Sequence, residues 1–255
     1  MRISKLLGAI TMATLVGAAH GVPTLIHDYQ LNGTLADALG GPALVAAGGT
    51  LGGSGYSFAP NQGLSLSNGL AGGNGNYSIE MSFSFSNTGI NAGYRKILDF
   101  KDRTSDNGLY ALGAGLNFYN QTASIGSAFA PNVNVDVVLT RDSGTNLVTG
   151  YLNGVSMWSF VDGGALAVFS GANDIVQFFK DDFNTGQTEA SGGFADYIRI
   201  YDGALDSTQA SCVGTGGSVA NCGIPSQGGN NVPEPGSLAL IGAAALAAGL
   251  RRRRR

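Results

Sequence analysis

The sequence predicts an all-β fold, an antiparallel β-sandwich of jelly-roll type, and three observations predict it. Several segments alternate apolar and polar residues with a period of two, as a strand with one buried face must. The pair Asn153-Gly154 stands between two apolar runs and is the strongest local hairpin signal in the chain, a tight turn that needs positive φ at both positions. The 255 residues include 41 glycines, with 44% hydrophobic and only 12% charged residues, a composition of short strands and turns that still supplies a core. That length fits one such domain plus processing segments.

Residues 1–21 have the layout of a secretory leader: Arg2 and Lys5, an apolar run from Leu6 to Ala19, then small residues with an exit after Ala19 or Gly21. The apolar run is too short to cross a bilayer, which takes about 20 residues. The predicted domain spans residues 22–206. Its clearest strand sets Tyr77, Ile79, Met81, Phe83 and Phe85 on one face and Ser78, Glu80, Ser82 and Ser84 on a wet one. Val133, Val135, Val137 and Leu139 repeat the pattern, opposed by Asn134, Asp136, Val138 and Thr140. The hairpin around Asn153-Gly154 follows, and residues 175–180 and 197–201 are further strands, rich in β-branched and aromatic residues. No comparably clear amphipathic helix interrupts them.

Residues 207–231, rich in Ser, Gly, Asn and Gln, read as a flexible tether. The tether contains Cys212 and Cys222, the chain's only cysteines, which in an exported protein either close a small disulfide loop or remain thiols. Residues 232–255 begin Val232-Pro233-Glu234-Pro235-Gly236, continue as an apolar run from Ser237 to Leu250, and end in five arginines. Such a run is a marginal membrane helix with a basic cytoplasmic stop.

This tail resembles the PEP-CTERM sorting signal, with Pro233, Glu234 and Pro235 as the motif and Arg251, Arg252 and Arg253 opening the basic end. The resemblance implies processing by an exosortase, a membrane transpeptidase-like enzyme of Gram-negative bacteria that make exopolysaccharide. The chain would then be exported, held at the inner membrane only transiently, and passed to the cell surface or extracellular matrix. A permanent weak anchor is the alternative. A second resemblance covers about residues 25–206 and rests on Leu139-Thr140-Arg141-Asp142, Gly150-Tyr151-Leu152-Asn153-Gly154 and Asp196-Tyr197-Ile198-Arg199-Ile200-Tyr201-Asp202-Gly203-Ala204-Leu205, in that order. Together with Gln62-Gly63-Leu64, this succession resembles the LamG-like members of the concanavalin A-like lectin/glucanase superfamily. In that family the Asn-Gly hairpin joins neighbouring strands, and the last stretch forms the final strand. The fold hosts lectins, hydrolases and adhesion modules alike, so it implies no single activity.

Charge narrows the partners. Arg2, Lys5 and Arg251 to Arg255 account for seven of the 14 basic residues, so the body between them sets seven basic residues against 17 acidic ones. A body that negative repels nucleic acid and anionic lipid. Catalytic inventory narrows the chemistry. His27 is the one histidine past the leader, so a histidine-based triad would depend on it alone, and zinc lacks ligands. The only glutamates are Glu80, Glu189 and Glu234, without the paired-glutamate strand of the family's hydrolases.

Two sets of side chains remain as candidate sites. Asp181, Asp182, Asn184 and Glu189 gather oxygens in one loop, the donor type that Ca²⁺ takes, although acidic loops are also simply solvated. Trp158, sharing a strand face with Phe160, and Tyr94, Tyr110 and Tyr119 could stack sugar rings. Trp158 could equally fill the core. Three functions stay open: an exported, non-catalytic lectin-like module binding carbohydrate or exopolysaccharide, a hydrolase using aspartates such as Asp181 or Asp182, and a purely structural surface or matrix protein.

Overall fold

The computed structural model describes residues 21–227, apart from 71–72, 74, 89–91 and 171–172. Nearly all of the leader and the whole sorting tail, including Pro233, Glu234, Pro235, Arg251, Arg252 and Arg253, lie outside the described residues. In chain order the strands are β1 (Leu25–Tyr29), β2 (Val45–Ala46), β3 (Thr50–Gly52), β4 (Gly55–Phe58), β5 (Leu64–Leu66), β6 (Tyr77–Phe85) and β7 (Tyr94–Asp99). They continue as β8 (Gly108–Leu112), β9 (Gly115–Phe118), β10 (Val135–Asp142), β11 (Leu147–Leu152), β12 (Val155–Val161), β13 (Val176–Phe178) and β14 (Gly193–Tyr201), followed by the helix α1 (Ser207–Val213).

These strands form two antiparallel sheets, as the alternation predicts. The larger runs β12-β11-β10-β6-β14-β4-β3, with β1 pairing the far end of β14. The smaller runs β2-β5-β13-β7-β8-β9. The inward set of β6 fills the space between them: Ile79 is paired with Leu139 and Ile200, and Met81 with Val137 and Ile198. Beside them Phe83 packs against Phe179, and Phe100 against Phe169, with ring centroids 5.0 and 4.7 Å apart. Burial of each such side chain is worth about 1.5–3 kcal/mol, so this layer dominates the stability of the fold.

The hairpin forms as its sequence demands. Asn153 and Gly154 take φ of 50° and 75°, a type I′ geometry whose twist matches the strands it joins. Other boundaries shift. The β10 ladder starts at Val135, leaving Val133 outside it and exposed. β13 ends at Phe178, because the next residue, Phe179, turns to φ 57° and drops its ring into the core against Phe58.

Two sequence expectations are corrected here. The polar face of β6 is not wet: Ser78 and Glu80 are fully buried and Ser82 and Ser84 nearly so. Nor do residues 207–227 form a tether. Asp206 caps α1 by accepting from the Thr208 and Gln209 amides, and the Gln209 side chain accepts from the Asp206 amide in return. Ala210, Val213 and Ile224 then pack on Leu25, Val138, Tyr151, Tyr201 and Leu205, on the outer side of the large sheet. Cys212 and Cys222 are joined as a disulfide, and the Leu25 amide donates to the Pro225 carbonyl at 2.8 Å. Ser78 Oγ seals the same edge, donating to the Gly203 carbonyl and accepting from the Leu205 amide, both at 2.9 Å. A Ser/Gly-rich composition hides these few apolar anchors. No helix of the described residues is long and apolar enough to cross a membrane.

Gly154 is also where the hairpin meets α1, since a Cβ there would lie 2.4 Å from Thr215 Cγ2 and 2.8 Å from the Ser211 carbonyl. Gly154→Ala is therefore expected to cost about 1–3 kcal/mol, from strain at positive φ plus the clash. Gly163→Ala, at a glycine with nothing within 4 Å, should change the denaturation midpoint little. Equal effects of the two substitutions would contradict this packing.

Candidate functional site

The outer face of the smaller sheet is covered by two loops, residues 99–108 after β7 and 179–192 after β13. What holds them there is the side chain of Lys96 on β7. Its Nζ lies 3.0 Å from Asp182 Oδ2, 3.9 Å from Asp181 Oδ1 and 3.8 Å from Asp99 Oδ2, all fully buried. It also sits 4.3 Å above the ring of Tyr110, its cross-strand partner on β8. Backbone amides take up most of the remaining oxygens. Asp182 Oδ1 accepts from the Asn184 and Thr185 amides, Asp181 Oδ2 from the Glu189 amide, and Asp99 Oδ1 from those of Lys101 and Arg103. Arg103 Nε donates to the Asp181 carbonyl at 2.6 Å, stitching one loop to the other.

The expected calcium loop is thereby corrected. Asp181 and Asp182 turn inward to an ammonium group, and the exposed Asn184 donates its backbone amide to Asp182 and its Nδ2 to the Thr104 carbonyl. Among the described residues no group of three or more His, Cys, Asp or Glu side chains is placed to hold a metal ion. Burial pushes the Asp181 carboxyl up, whereas Asp182 is held below the usual range because the adjoining Lys96 charge outweighs its own burial.

Beside this cluster lies a patch that faces solvent. Tyr94 opens β7, Tyr110 lies on β8, and Tyr119 follows β9; their rings meet edge to face, with centroids 5.4–6.2 Å apart. Tyr94 and Tyr119 are half-buried and present ring surface, while Tyr110 is fully buried and positions its neighbours. The Tyr110 hydroxyl donates to Asp106 Oδ1 at 2.9 Å and is within hydrogen-bonding reach of Glu189. Glu189 is the most perturbed carboxyl here: burial first, then the charges of Asp106 and Asp181, push it up to about 7. Of the predicted site residues the structure thus brings together Tyr94, Tyr110, Asp181, Asp182 and Glu189. Lys96 from β7 and Asp106 from the loop after it join them.

The other singled-out residues are structural. Trp158 lies in the core, its Nε1 donating to the Leu116 carbonyl at 3.0 Å and its ring resting on Gly150, so it is not a sugar platform. His27 is buried on β1, Nδ1 2.6 Å from Asp37 Oδ2 and Nε2 2.7 Å from the Gly69 carbonyl, with neither nitrogen facing a hydroxyl nucleophile. Glu80 lies on the outer side of the other sheet, on Arg199, Tyr197 and Tyr201, so it faces a different side of the sandwich from Glu189.

Comparison with known proteins supports two parts of this picture. A family model for the PEP-CTERM protein-sorting motif matches residues 231–255, which marks the chain as an exported protein sorted by an exosortase. Domain 4 of AbnA, a GH43 extracellular arabinanase from Geobacillus stearothermophilus solved with arabinotriose, is similar at 17% identity and TM-score 0.52, over 76% of this chain and 100% of that one. Trypanosoma rangeli sialidase with a covalent intermediate is similar at 15% identity and TM-score 0.54, over 76% of this chain and 33% of that one. A leech intramolecular trans-sialidase matches at 14% identity and TM-score 0.50, over 68% of this chain and 28% of that one. The chain therefore spans about a third or less of either sialidase. These likenesses establish the β-sandwich. The comparison with curated proteins found no match.

The raised Glu189 carboxyl makes stability depend on pH. The folded protein keeps a proton that the unfolded chain, with its ordinary value of 4.5, has already released, so this contribution is complete below about pH 4.5 and is lost as the pH rises through about 7. Glu189→Gln should therefore melt progressively higher than the wild type as the pH is raised over that window. A difference in melting temperature that stays constant with pH would show that Glu189 is not the group responsible.

Proposed function

We propose that the protein is an exported, non-catalytic carbohydrate-binding module of LamG-like type, delivered by an exosortase to act on exopolysaccharide or another glycan at the cell surface or in the matrix. The tyrosine patch carries this reading. Two half-exposed rings, Tyr94 and Tyr119, stand beside the half-exposed carboxylate of Asp106 on a face whose loops Lys96 fixes in place. Flat apolar surface next to a fixed acceptor is what a sugar needs, its C–H face on the ring and its hydroxyls on the carboxylate. The order of sequence motifs, the arabinotriose held by AbnA domain 4 and the sorting tail all agree with it.

One observation favours a second reading. A carboxyl pushed up to about 7 beside a second acidic side chain is a pairing that general-acid catalysis can use. A hydrolase of this kind would use Glu189 and Asp106. Asp181 and Asp182 are closed off by Lys96 and the loop backbone.

The binding reading is tested by retention of the protein on native exopolysaccharide and on immobilised arabinotriose. Tyr119→Ala should weaken binding about tenfold, the loss of roughly 1.4 kcal/mol of contact, and a chelator should leave it unchanged. Failure to be retained on either matrix would remove the reading and leave a structural coat protein. The hydrolase reading expects reducing ends to be released from the same polysaccharide and Glu189→Gln to abolish the release. An inactive wild type removes it.

A further inference from the structure

The outer face of the larger sheet carries a second feature, away from the tyrosine patch. A cleft of ≈ 570 Å³ runs between β14 and the segment that follows α1, with Leu25, Val219, Ile224 and Pro225 among its walls and Asp28 and Arg199 at its floor. The Arg199 guanidinium is held from three sides. Its Nε donates to Asp28 Oδ1 at 3.2 Å, its Nη1 donates to Glu80 Oε1 at 3.1 Å, and its plane lies over the Tyr197 ring at 4.4 Å. Glu80 is fixed in turn by the hydroxyls of Tyr197 and Tyr201, at 2.9 and 2.5 Å. Arg199 cannot swing away without leaving the buried Glu80 charge unpaired, so it is a rigid donor and not a mobile surface arginine.

Two polar atoms of this assembly remain unused. Among the described residues Arg199 Nη2 and Asp28 Oδ2 make no hydrogen bond, and both side chains keep part of their surface exposed to the cleft, 17% and 20%. The cleft therefore offers one donor and one acceptor side by side at its floor, and aliphatic side chains along its wall. Its charge argues against ions. Asp28 and Glu80 together outweigh the single guanidinium, which disfavours an anion, and the guanidinium itself disfavours a cation. A neutral vicinal diol on an apolar ring meets every one of these terms.

We propose that this cleft is a second and separate binding site, for a neutral sugar residue. Arg199 Nη2 donates to one hydroxyl, Asp28 Oδ2 accepts from its neighbour, and the part-exposed Val219 and Pro225 carry the C–H face of the ring. The tyrosine patch lies over the other sheet, so the two sites open on different sides of the sandwich and one molecule can bridge two polysaccharide strands.

Calorimetric titration of the full chain with arabinotriose, xylotriose, cellotriose and maltotriose tests this. At least one of these neutral trisaccharides should bind the wild type at the cleft. Ala220→Trp, which fills the cleft from its exposed rim, should abolish that binding, and Asp28→Asn should weaken it at least tenfold. Whatever binding survives in Tyr119→Ala should be lost when Ala220→Trp is added to it, and melting temperatures verify that each variant is folded. If Ala220→Trp and Asp28→Asn both bind every trisaccharide as the wild type does, if Tyr119→Ala alone removes all binding, or if none of the four binds, the proposal is overturned. Loss in Ala220→Trp with no effect of Tyr119→Ala would instead uphold the cleft and count against the tyrosine site.

Discussion

The ammonium group of Lys96 is the contact on which the arrangement of the candidate site depends. Three carboxylates with no access to water face it from two backbone segments, the end of β7 and two successive positions after β13. Without that charge they would repel one another at distances where the low polarity of the interior makes repulsion severe. With it they draw the loops at 99–108 and 179–192 down onto the sheet, and those loops in turn set Asp106 and Glu189 against the tyrosines. The solvent-facing chemistry is thus built on a buried electrostatic knot. The raised Glu189 carboxyl follows first from its own burial and then from the nearby charges of Asp106 and Asp181.

The opposite side of the sandwich solves the same problem differently. Glu80 sits in the middle of β6, where β10 and β14 flank it and no loop brings in a lysine. Its charge is met laterally along the neighbouring strand by Arg199, Tyr197 and Tyr201. The segment after α1 then covers the apolar part of that face, so the sheet is buried on both sides along much of its length. This double cover explains how a chain with few charges and many glycines keeps so extensive a core.

The legible parts of the sequence were those whose cause is local. Alternation at 77–85 and the Asn153-Gly154 turn each follow from neighbouring residues, and both stand in the structure. The sorting motif is linear and was legible for the same reason. What alternation does not contain is the identity of whatever covers a face, so Ser78 and Glu80 looked wet and Trp158 stayed open between the core and a ligand. Composition averaged over residues 207–231 likewise hid Ala210, Val213 and Ile224, although Asp206 and Gln209, three apart, are a helix-start signal that could have exposed α1. Asp181 and Asp182 were conspicuous as a pair, but the charge that decides their role lies 86 residues before Asp182. Pairings of that span are set by sheet topology, and no window of sequence shows them.

Leu25 and Ser226 are bridged in parallel, the Gln227 amide donating back to the Leu25 carbonyl at 2.9 Å. The chain therefore enters and leaves the folded body at one corner. Traction on the tail would be felt first by this pair of hydrogen bonds, and any peeling that passed them would halt at Cys222, whose sulfur is bonded back to α1. Only residues 228–230 lie between this corner and the span that matches the sorting motif, so a molecule held through that motif would sit close to its point of attachment.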